Sequence, residues 1–110
     1  MQNDDVAELS VEELNQKIQN KEDFILIDVR RNEEYDHSNI KSSVHIPLDE
    51  LESRLNEFDP RKEYVLQCRS GGRSYSAARF LKSNGINNVY NLIGGLVDWS
   101  NKIDSSISVK

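Results

Sequence analysis

The sequence has few of the residues that mark several common classes of protein. It contains one cysteine among 110 residues, so no disulfide can form within the chain. With only two histidines beside that cysteine, a structural zinc site is disfavoured. Acidic residues outnumber basic ones, 19 to 14, whereas nucleic-acid-binding proteins normally carry a basic surplus. Any chemistry at the single cysteine, Cys68, is therefore the chemistry of a thiol.

Long apolar runs are also missing. No apolar stretch approaches the roughly 20 residues needed to span a bilayer. Residues 1–5 are polar and acidic, unlike the basic start and apolar centre of a secretory signal. We therefore expect a cytoplasmic protein that binds neither nucleic acid nor a membrane. The length suits one domain over residues 1–110, with a core of about 6–102 and frayed ends at residues 1–4 and in the polar tail 104–110.

Short apolar runs alternate with helical patterns along the chain. The predicted strands cover residues 6–9, 24–29, 44–46, 64–68 and 89–92. The predicted helical segments are one capped by Ser10 and Glu13, a turn at 32–35, a stripe formed by Leu48, Leu51, Leu55 and Phe58, a helix over 72–84, and a last helix after Gly94-Gly95. This alternation predicts an α/β fold with a mainly parallel sheet, in which ligands bind beyond the carboxyl ends of the strands.

Cys68 ends the fourth predicted strand and opens a glycine-rich loop before a helix. The loop, called here the cysteine loop (residues 68–73), consists of Cys68, Arg69, Ser70, Gly71, Gly72 and Arg73. Adjacent glycines let the backbone turn tightly, so that successive N–H groups can point at one spot and form an anion nest. The helix start and two arginines add positive charge, which can depress a cysteine pKa from about 8.5 to roughly 3.5–7.5. The hypothesis is nucleophilic attack by Cys68 on a bound anionic electrophile.

The residues of this loop also have structural interpretations. A lone cysteine is often buried as a small, inert hydrophobe, but such a residue needs no Gly-Gly turn, flanking arginines or helix start. Arg69 and Arg73 either contact a bound anion or are ordinary surface charges, and Arg73 could instead pair with a carboxylate. Ser70 and Ser74 either donate hydrogen bonds into the nest or cap the helix.

Four segments, in order, resemble signatures of the rhodanese family. The cysteine loop with Ser74 is similar to the active-site loop of small rhodanese domains. The other three are Asp28-Val29-Arg30, the stretch from Glu34-Tyr35 to Ile46-Pro47, and Gly94-Gly95 with Trp99. The resemblance covers about residues 6–102. It implies a three-layer α/β fold, with a mainly parallel central sheet of about five strands and helices on both faces.

The resemblance also implies a two-step sulfurtransferase with Cys68 as its catalytic residue. The thiolate would take sulfane sulfur from a donor such as thiosulfate and pass the resulting persulfide sulfur to cyanide, a small thiol or a protein thiol. The substrate would be bound by the rest of the loop, Arg69, Ser70, Gly71, Gly72 and Arg73, whose N–H groups stabilise the charged sulfur. Asp28 and Arg30 are interpreted as a supporting salt bridge. No metal or organic cofactor is implied.

Between Tyr35 and Pro47 the sequence departs from the family pattern. It has Ser38-Asn39 and Ser42-Ser43 where the family usually shows Gly-His and Gly-Ala, and His45 where an asparagine is usual. No family role is therefore transferred to His37 or His45, and both are interpreted as structural or surface residues.

Two other classes of function compete with sulfur transfer. Protein tyrosine phosphatases, which with arsenate reductases also use a thiolate in an anion nest, place five residues between the cysteine and the arginine. Only four separate Cys68 from Arg73, and Gln67 rather than a histidine precedes the cysteine. The other alternative is a regulatory docking module or persulfide carrier with little turnover of small molecules. The presence of Cys68 and both arginines argues against an inactive module.

Overall fold

A computed structural model describes residues 5–110, so the expectation for residues 1–4 lies outside it. The strands are β1 (Ala7–Leu9), β2 (Ile25–Asp28), β3 (Val44–His45), β4 (Tyr64–Gln67) and β5 (Val89–Leu92). The α-helices are α1 (Val11–Gln19), α2 (Asn32–His37), α3 (Gly72–Ser83) and α4 (Gly95–Lys102). The strands form one sheet in the order β1-β5-β4-β2-β3, and every pair is parallel. The predicted α/β fold with a five-stranded parallel sheet is confirmed.

The two faces of the sheet are covered by different helices. Alternate residues of a strand point to opposite faces, and neighbours such as Leu66 and Val65 accordingly belong to two separate core clusters. On one face the sheet packs against α3 through Ala77, Ala78 and Leu81. On the other it packs against α1 and α4, which also contact each other. Since both faces are buried, the strands read as continuous apolar runs in the sequence.

The capping box predicted for the first helix is present. The Ser10 hydroxyl accepts a hydrogen bond from the backbone N–H of Glu13 at 3.1 Å, and the Glu13 carboxylate accepts one from the N–H of Ser10 at 2.9 Å. Two N–H groups that a helix start leaves without carbonyl partners are thereby satisfied. None of the helices in the described part of the chain is long and apolar enough to cross a membrane.

The apolar stripe at residues 48–58 forms two 3-10 turns, Leu48–Glu50 and Leu55–Glu57, rather than a helix. Its apolar side chains still pack against the core as the pattern requires. A spacing of three or four residues suits a series of 3-10 turns nearly as well as an α-helix. The pattern therefore predicted which side chains are buried but not the backbone conformation of the segment. The Ser53 hydroxyl also donates to the Glu50 carbonyl at 3.0 Å, which competes with a regular helical ladder.

The polar tail is more ordered than its composition predicts. Ile107 and Val109 are partly buried and pack against the core on the α4 face. The Ser100 hydroxyl donates to the Ile107 carbonyl at 2.5 Å, and Ser38 donates to the Ser108 carbonyl. The expectation of a frayed tail does not match these contacts, because apolar residues interleaved with the serines give the tail one side that packs.

Helix α4 is attached directly to the backbone of the cysteine loop. The N–H of Leu96 donates to the Cys68 carbonyl at 2.9 Å, and that of Val97 donates to the Arg69 carbonyl at 3.0 Å. Gly95 lies at the point of closest approach, with φ of +56°. A Cβ atom there would stand 2.5 Å from the Cys68 carbonyl oxygen. A glycine is therefore required at this position for α4 to reach the loop.

Gly95→Ala is expected to lower the free energy of unfolding by about 2 to 4 kcal/mol, since it combines a backbone clash with a strained φ. Gly72→Ala is the matched control, because a Cβ at Gly72 meets nothing within 4 Å. That variant should change stability by less than about 1 kcal/mol. Urea denaturation followed by circular dichroism measures both, and equal effects of the two substitutions would contradict the close-approach argument.

Candidate active site around Cys68

Cys68 lies at the carboxyl edge of the sheet, directly after β4 and between the ends of β2 and β5. Its residue is only 1 % exposed. The cysteine loop then turns through Gly71, whose φ of +114° lies in the region that favours glycine, and enters α3. The thiol therefore lies at the edge where ligands bind in parallel sheets, beside the first turn of a 12-residue helix.

The sulfur of Cys68 accepts hydrogen bonds from the loop that surrounds it. The donors are the N–H of Gly71 at 3.1 Å, the N–H of Ser74 at 3.4 Å and the hydroxyl of Ser74 at 3.3 Å. Burial is the largest single influence on the pKa of Cys68 and raises it. The hydrogen bonds from Ser74, Gly71 and Ser70 together outweigh burial, so the pKa of Cys68 falls below its ordinary value. The site thus favours a thiolate, the nucleophilic form of cysteine.

The two arginines of the loop are engaged with other parts of the protein. The Arg73 guanidinium forms two hydrogen bonds with the Glu34 carboxylate, at 2.6 and 2.9 Å. Arg69 is exposed, and its Nε donates to the Lys110 carbonyl at 3.0 Å. Arg73 is close enough for its charge to interact with Cys68, so it contributes a positive field at the sulfur while held by Glu34. The carboxylate pairing left open for Arg73 in the sequence is thus the arrangement present.

Asp28 and Arg30 form a fully buried ion pair at the end of β2. Arg30 Nη2 lies 2.7 Å from an Asp28 carboxylate oxygen, and both side chains are 0 % exposed. The same guanidinium donates to the carbonyls of Glu34 at 3.2 Å and Ser38 at 2.7 Å. Arg30 therefore fixes α2 against the sheet, and through Glu34 it fixes Arg73 of the loop.

The structure adds Glu34 and Asn91, which sequence reasoning did not assign to the site. Asn91 lies on β5 and is 3 % exposed. Its Oδ1 accepts from the Ser74 hydroxyl at 2.5 Å, and its Nδ2 donates to the Gly71 carbonyl at 3.2 Å. The sequence did contain a signal for each residue. Asn91 is a polar residue near the carboxyl end of an otherwise apolar buried strand, and Glu34 lies in one of the four segments that resemble family signatures.

The two histidines make contacts away from the sulfur. His45 Nε2 lies 2.7 Å from the Arg30 carbonyl oxygen, and its ring stacks on Tyr35 with ring centres 4.3 Å apart. His37 Nε2 lies 3.4 Å from the Ser108 hydroxyl.

A groove of about 360 Å³ opens beside Arg73. It is lined by Val29, Arg31, Pro47, Leu48, Asp49 and Arg73. Its walls are largely aliphatic, with charged groups around them. The groove offers a bound molecule apolar contact next to the cysteine loop.

The chain resembles known proteins over most of its length. Residues 10–102 match the family described as Rhodanese-like domain. YrkF of Bacillus subtilis, provisionally named a sulfur carrier protein, is 40 % identical over 99 residues, which cover 90 % of this chain and 54 % of YrkF. This chain thus spans about half the length of that relative. A sulfurtransferase of Allochromatium vinosum is 34 % identical over 95 residues, 86 % of this chain and 89 % of that protein.

Among solved structures, a rhodanese-like domain protein from Staphylococcus aureus superposes with a TM-score of 0.83. It is 28 % identical, and the match covers 96 % of this chain and 99 % of that one. The arrangement of strands and helices is therefore one that solved rhodanese-like proteins share.

The Glu34–Arg73 pair predicts a dependence of stability on pH. Hydrogen bonds from Arg73 are the largest cause that lowers the pKa of Glu34 from its ordinary value of 4.5 to about 2. A carboxyl whose pKa is lowered by folding stabilises the protein above its unfolded pKa, and this contribution is lost as the pH falls from 4.5 through about 2. Glu34→Gln should therefore lower the free energy of unfolding by about 2 kcal/mol at about pH 7 and by less than about half of that at about pH 3.

Urea denaturation at the two pH values measures this difference. Glu33→Gln is the control, since Glu33 precedes Glu34 on the same helix and its side chain is 59 % exposed. It should change stability by less than about 0.5 kcal/mol at either pH. An effect of Glu34→Gln that is the same at both pH values would show that the carboxylate charge is not what stabilises α2 against the loop.

Proposed function

Because this chain belongs to the rhodanese-like domain family, with relatives named as sulfurtransferase and sulfur carrier, we propose that it moves sulfane sulfur through a persulfide on Cys68. The observation that carries this proposal is the set of hydrogen bonds that Gly71 and Ser74 donate to the Cys68 sulfur. A buried thiol needs such donors only if it bears charge.

In the first half-reaction the Cys68 thiolate attacks the outer sulfur of a donor such as thiosulfate. A bond forms between the cysteine sulfur and the sulfane sulfur, the S–S bond of thiosulfate breaks, and sulfite leaves with the electron pair. In the second, cyanide or a thiolate attacks the outer sulfur of the persulfide, and the Cys68 thiolate is released. Charge and sulfur balance in each step, and neither step requires an external oxidant.

The cysteine loop supplies what these steps need from the protein. We assign substrate binding to Arg69, Ser70, Gly71, Gly72 and Arg73. The N–H of Ser74 in the first turn of α3 donates to the sulfur itself, whereas the N–H groups of Gly72 and Arg73, with no carbonyl one turn earlier to bond, are available to an anion above the sulfur. Arg69 and Gly72 are exposed at the rim of the loop, whereas Arg73 supports the site while paired with Glu34. Asp28 and Arg30 serve as structural support.

The acceptor must come from outside the chain. Cys68 is the only cysteine, so no second thiol in this sequence can resolve the persulfide. The aliphatic groove beside Arg73 is the surface that we assign to the carbon part of a small thiol, and the exposed rim of the loop could equally face a protein thiol.

A persulfide carrier that docks on a protein partner is the second candidate. It is favoured by the name of YrkF, a sulfur carrier protein. Both candidates use the same persulfide and differ in how fast small acceptors discharge it. A phosphatase is disfavoured because only four residues separate Cys68 from Arg73, one fewer than in protein tyrosine phosphatases.

Incubation with thiosulfate should add one sulfur atom, a gain of about 32 Da in intact mass, and cyanide or a small thiol should reverse it. Cys68→Ser should show no gain. If the wild-type protein stays unmodified by thiosulfate and by small persulfides while folded, the persulfide mechanism is wrong. If it loads but small acceptors discharge it much more slowly than a protein thiol does, the carrier candidate is the correct one.

Arg69→Gln should raise KM for thiosulfate about 3- to 10-fold and change kcat little, since it removes a charge that binds the anion in the ground state and in the transition state alike. Arg61→Gln is the control, because Arg61 is an exposed arginine paired with Asp59 outside the loop. Steady-state rates measured as thiocyanate formation give both constants. An unchanged KM in Arg69→Gln would exclude Arg69 from the substrate site.

A further inference from the structure

The Ser74 hydroxyl has one proton and two acceptors within reach. Its oxygen lies 3.3 Å from the Cys68 sulfur and 2.5 Å from Oδ1 of Asn91. A serine hydroxyl can donate only one hydrogen bond at a time. The sulfur and the amide oxygen therefore compete for the same proton, at a residue that is 0 % exposed.

The orientation of the Asn91 side chain follows from its second contact. Its other terminal atom lies 3.2 Å from the Gly71 carbonyl oxygen, which can only accept a hydrogen bond. The amide nitrogen must therefore face Gly71, because the reverse orientation would bring two acceptors together. That leaves Oδ1 facing Ser74, so Asn91 is an acceptor for the hydroxyl.

We propose that Asn91 is a positioning residue that draws the Ser74 hydroxyl away from Cys68 once the charge leaves the cysteine sulfur. This proposal rests on the persulfide mechanism above. In the thiolate state the sulfur carries a full negative charge and takes the hydroxyl proton, leaving Oδ1 of Asn91 without it. In the persulfide state the charge lies on the outer sulfur and the cysteine sulfur is a weak acceptor, so the hydroxyl turns to Asn91.

The consequence is a balance between the loaded and unloaded states. Without Asn91, the Ser74 hydroxyl could donate to the thiolate without giving up a hydrogen bond to another acceptor. In the persulfide state, the same hydroxyl would then have lost its Asn91 partner. With Asn91 present, the hydroxyl has an acceptor in both states. Asn91 therefore favours the persulfide over the bare thiolate, and it keeps the thiolate from being stabilised so strongly that it becomes a poor nucleophile.

Apart from residue 91 itself, the charged groups of the cysteine loop and of the elements packed near it are the same in every variant at position 91. On neighbouring elements and in the loop they are Asp28, Arg30, Glu34, Arg69, Arg73 and Asp98. Most are in ion pairs or hydrogen bonds already described, and Asp98 lies over Gly94. A change in the pKa of Cys68 in Asn91→Leu thus reports on the amide and the hydroxyl, whereas in Asn91→Asp it also contains the direct effect of the added charge.

Two nearly isosteric substitutions should shift the pKa of Cys68 in opposite directions. Asn91→Leu removes the competing acceptor, so the pKa should fall by about 0.5 to 1 unit. Asn91→Asp supplies a stronger acceptor and a negative charge, so the pKa should rise by about 1 unit or more. The pH dependence of alkylation by iodoacetamide measures this directly, since Cys68 is the only thiol, and it requires no sulfur donor. A persulfide mechanism that failed would therefore not by itself affect this readout.

The Ser74→Ala background separates competition from simple support of the loop. In that background Asn91→Leu should no longer lower the pKa of Cys68. Asn91→Asp should raise that pKa by at most half as much as it does when Ser74 is present. Asn101→Asp, on an exposed position of α4, is the control for added charge and should leave the pKa unchanged. A residue that merely supported the loop would raise the pKa when replaced by leucine.

The proposal would be overturned if Asn91→Leu raised the pKa of Cys68. It would also be overturned if the substitutions at position 91 shifted this pKa equally with and without Ser74. If Asn91→Leu does not fold, the pair of Asn91→Asp measurements decides alone. A second readout is the loaded fraction at a fixed ratio of thiosulfate to sulfite. The equilibrium constant for loading should fall about 3- to 10-fold in Asn91→Leu, in step with its lower thiolate pKa.

Discussion

The site depends on one guanidinium group that is buried completely. Arg30 has no exposed surface, and it binds Asp28 on its own strand end together with two carbonyls of the α2 region. Loss of either member of such a pair leaves an unpaired charge in the core, which typically costs 3–5 kcal/mol, so the arrangement persists only as a unit. Because Arg30 holds α2 in this position, the Glu34 carboxylate can form its ion pair with Arg73 of the loop. The position of the positive charge of Arg73 near the Cys68 sulfur therefore depends on the ion pair at the end of β2.

The loop is held from its other side by backbone and amide groups. The start of α4 donates to the carbonyls of Cys68 and Arg69, and Asn91 on β5 bridges Gly71 and Ser74. These contacts aim the N–H groups at the sulfur before any substrate arrives, as preorganised electrostatic stabilisation requires. Burial works against a thiolate and the directed donors work for it. Rigid support is what lets a nearly inaccessible sulfur carry charge.

The parts of the structure that local chemistry determines could be predicted from the sequence. The apolar runs of β2 and β4 predicted buried parallel strands, and the Gly-Gly loop after β4 predicted a turn around the thiol. The prediction of a helix at residues 48–58 was wrong because their apolar spacing fits 3-10 turns as well as an α-helix. The tail was expected to be frayed because of its serines, but its apolar residues contact the core. Glu34 and Asn91 were missed as site residues because they are 39 and 17 residues from Arg73 and Ser74, their partners in the loop. Such contacts are set by the order of strands in the sheet, which periodicity does not reveal.

The strand order has a consequence for how the support of the cysteine loop is assembled. β4 carries Cys68 at the centre of the sheet, but β5 and α4, which support its loop, follow it in the sequence, and β1 pairs with β5. Contacts between distant segments of a parallel sheet form late because the chain must close long loops first. A chain folded only as far as α3 would contain the Gly71 and Ser74 donors but would lack the contacts that Asn91 and the start of α4 make with the loop. The loop is therefore fully supported only when β5 and α4 have packed against it.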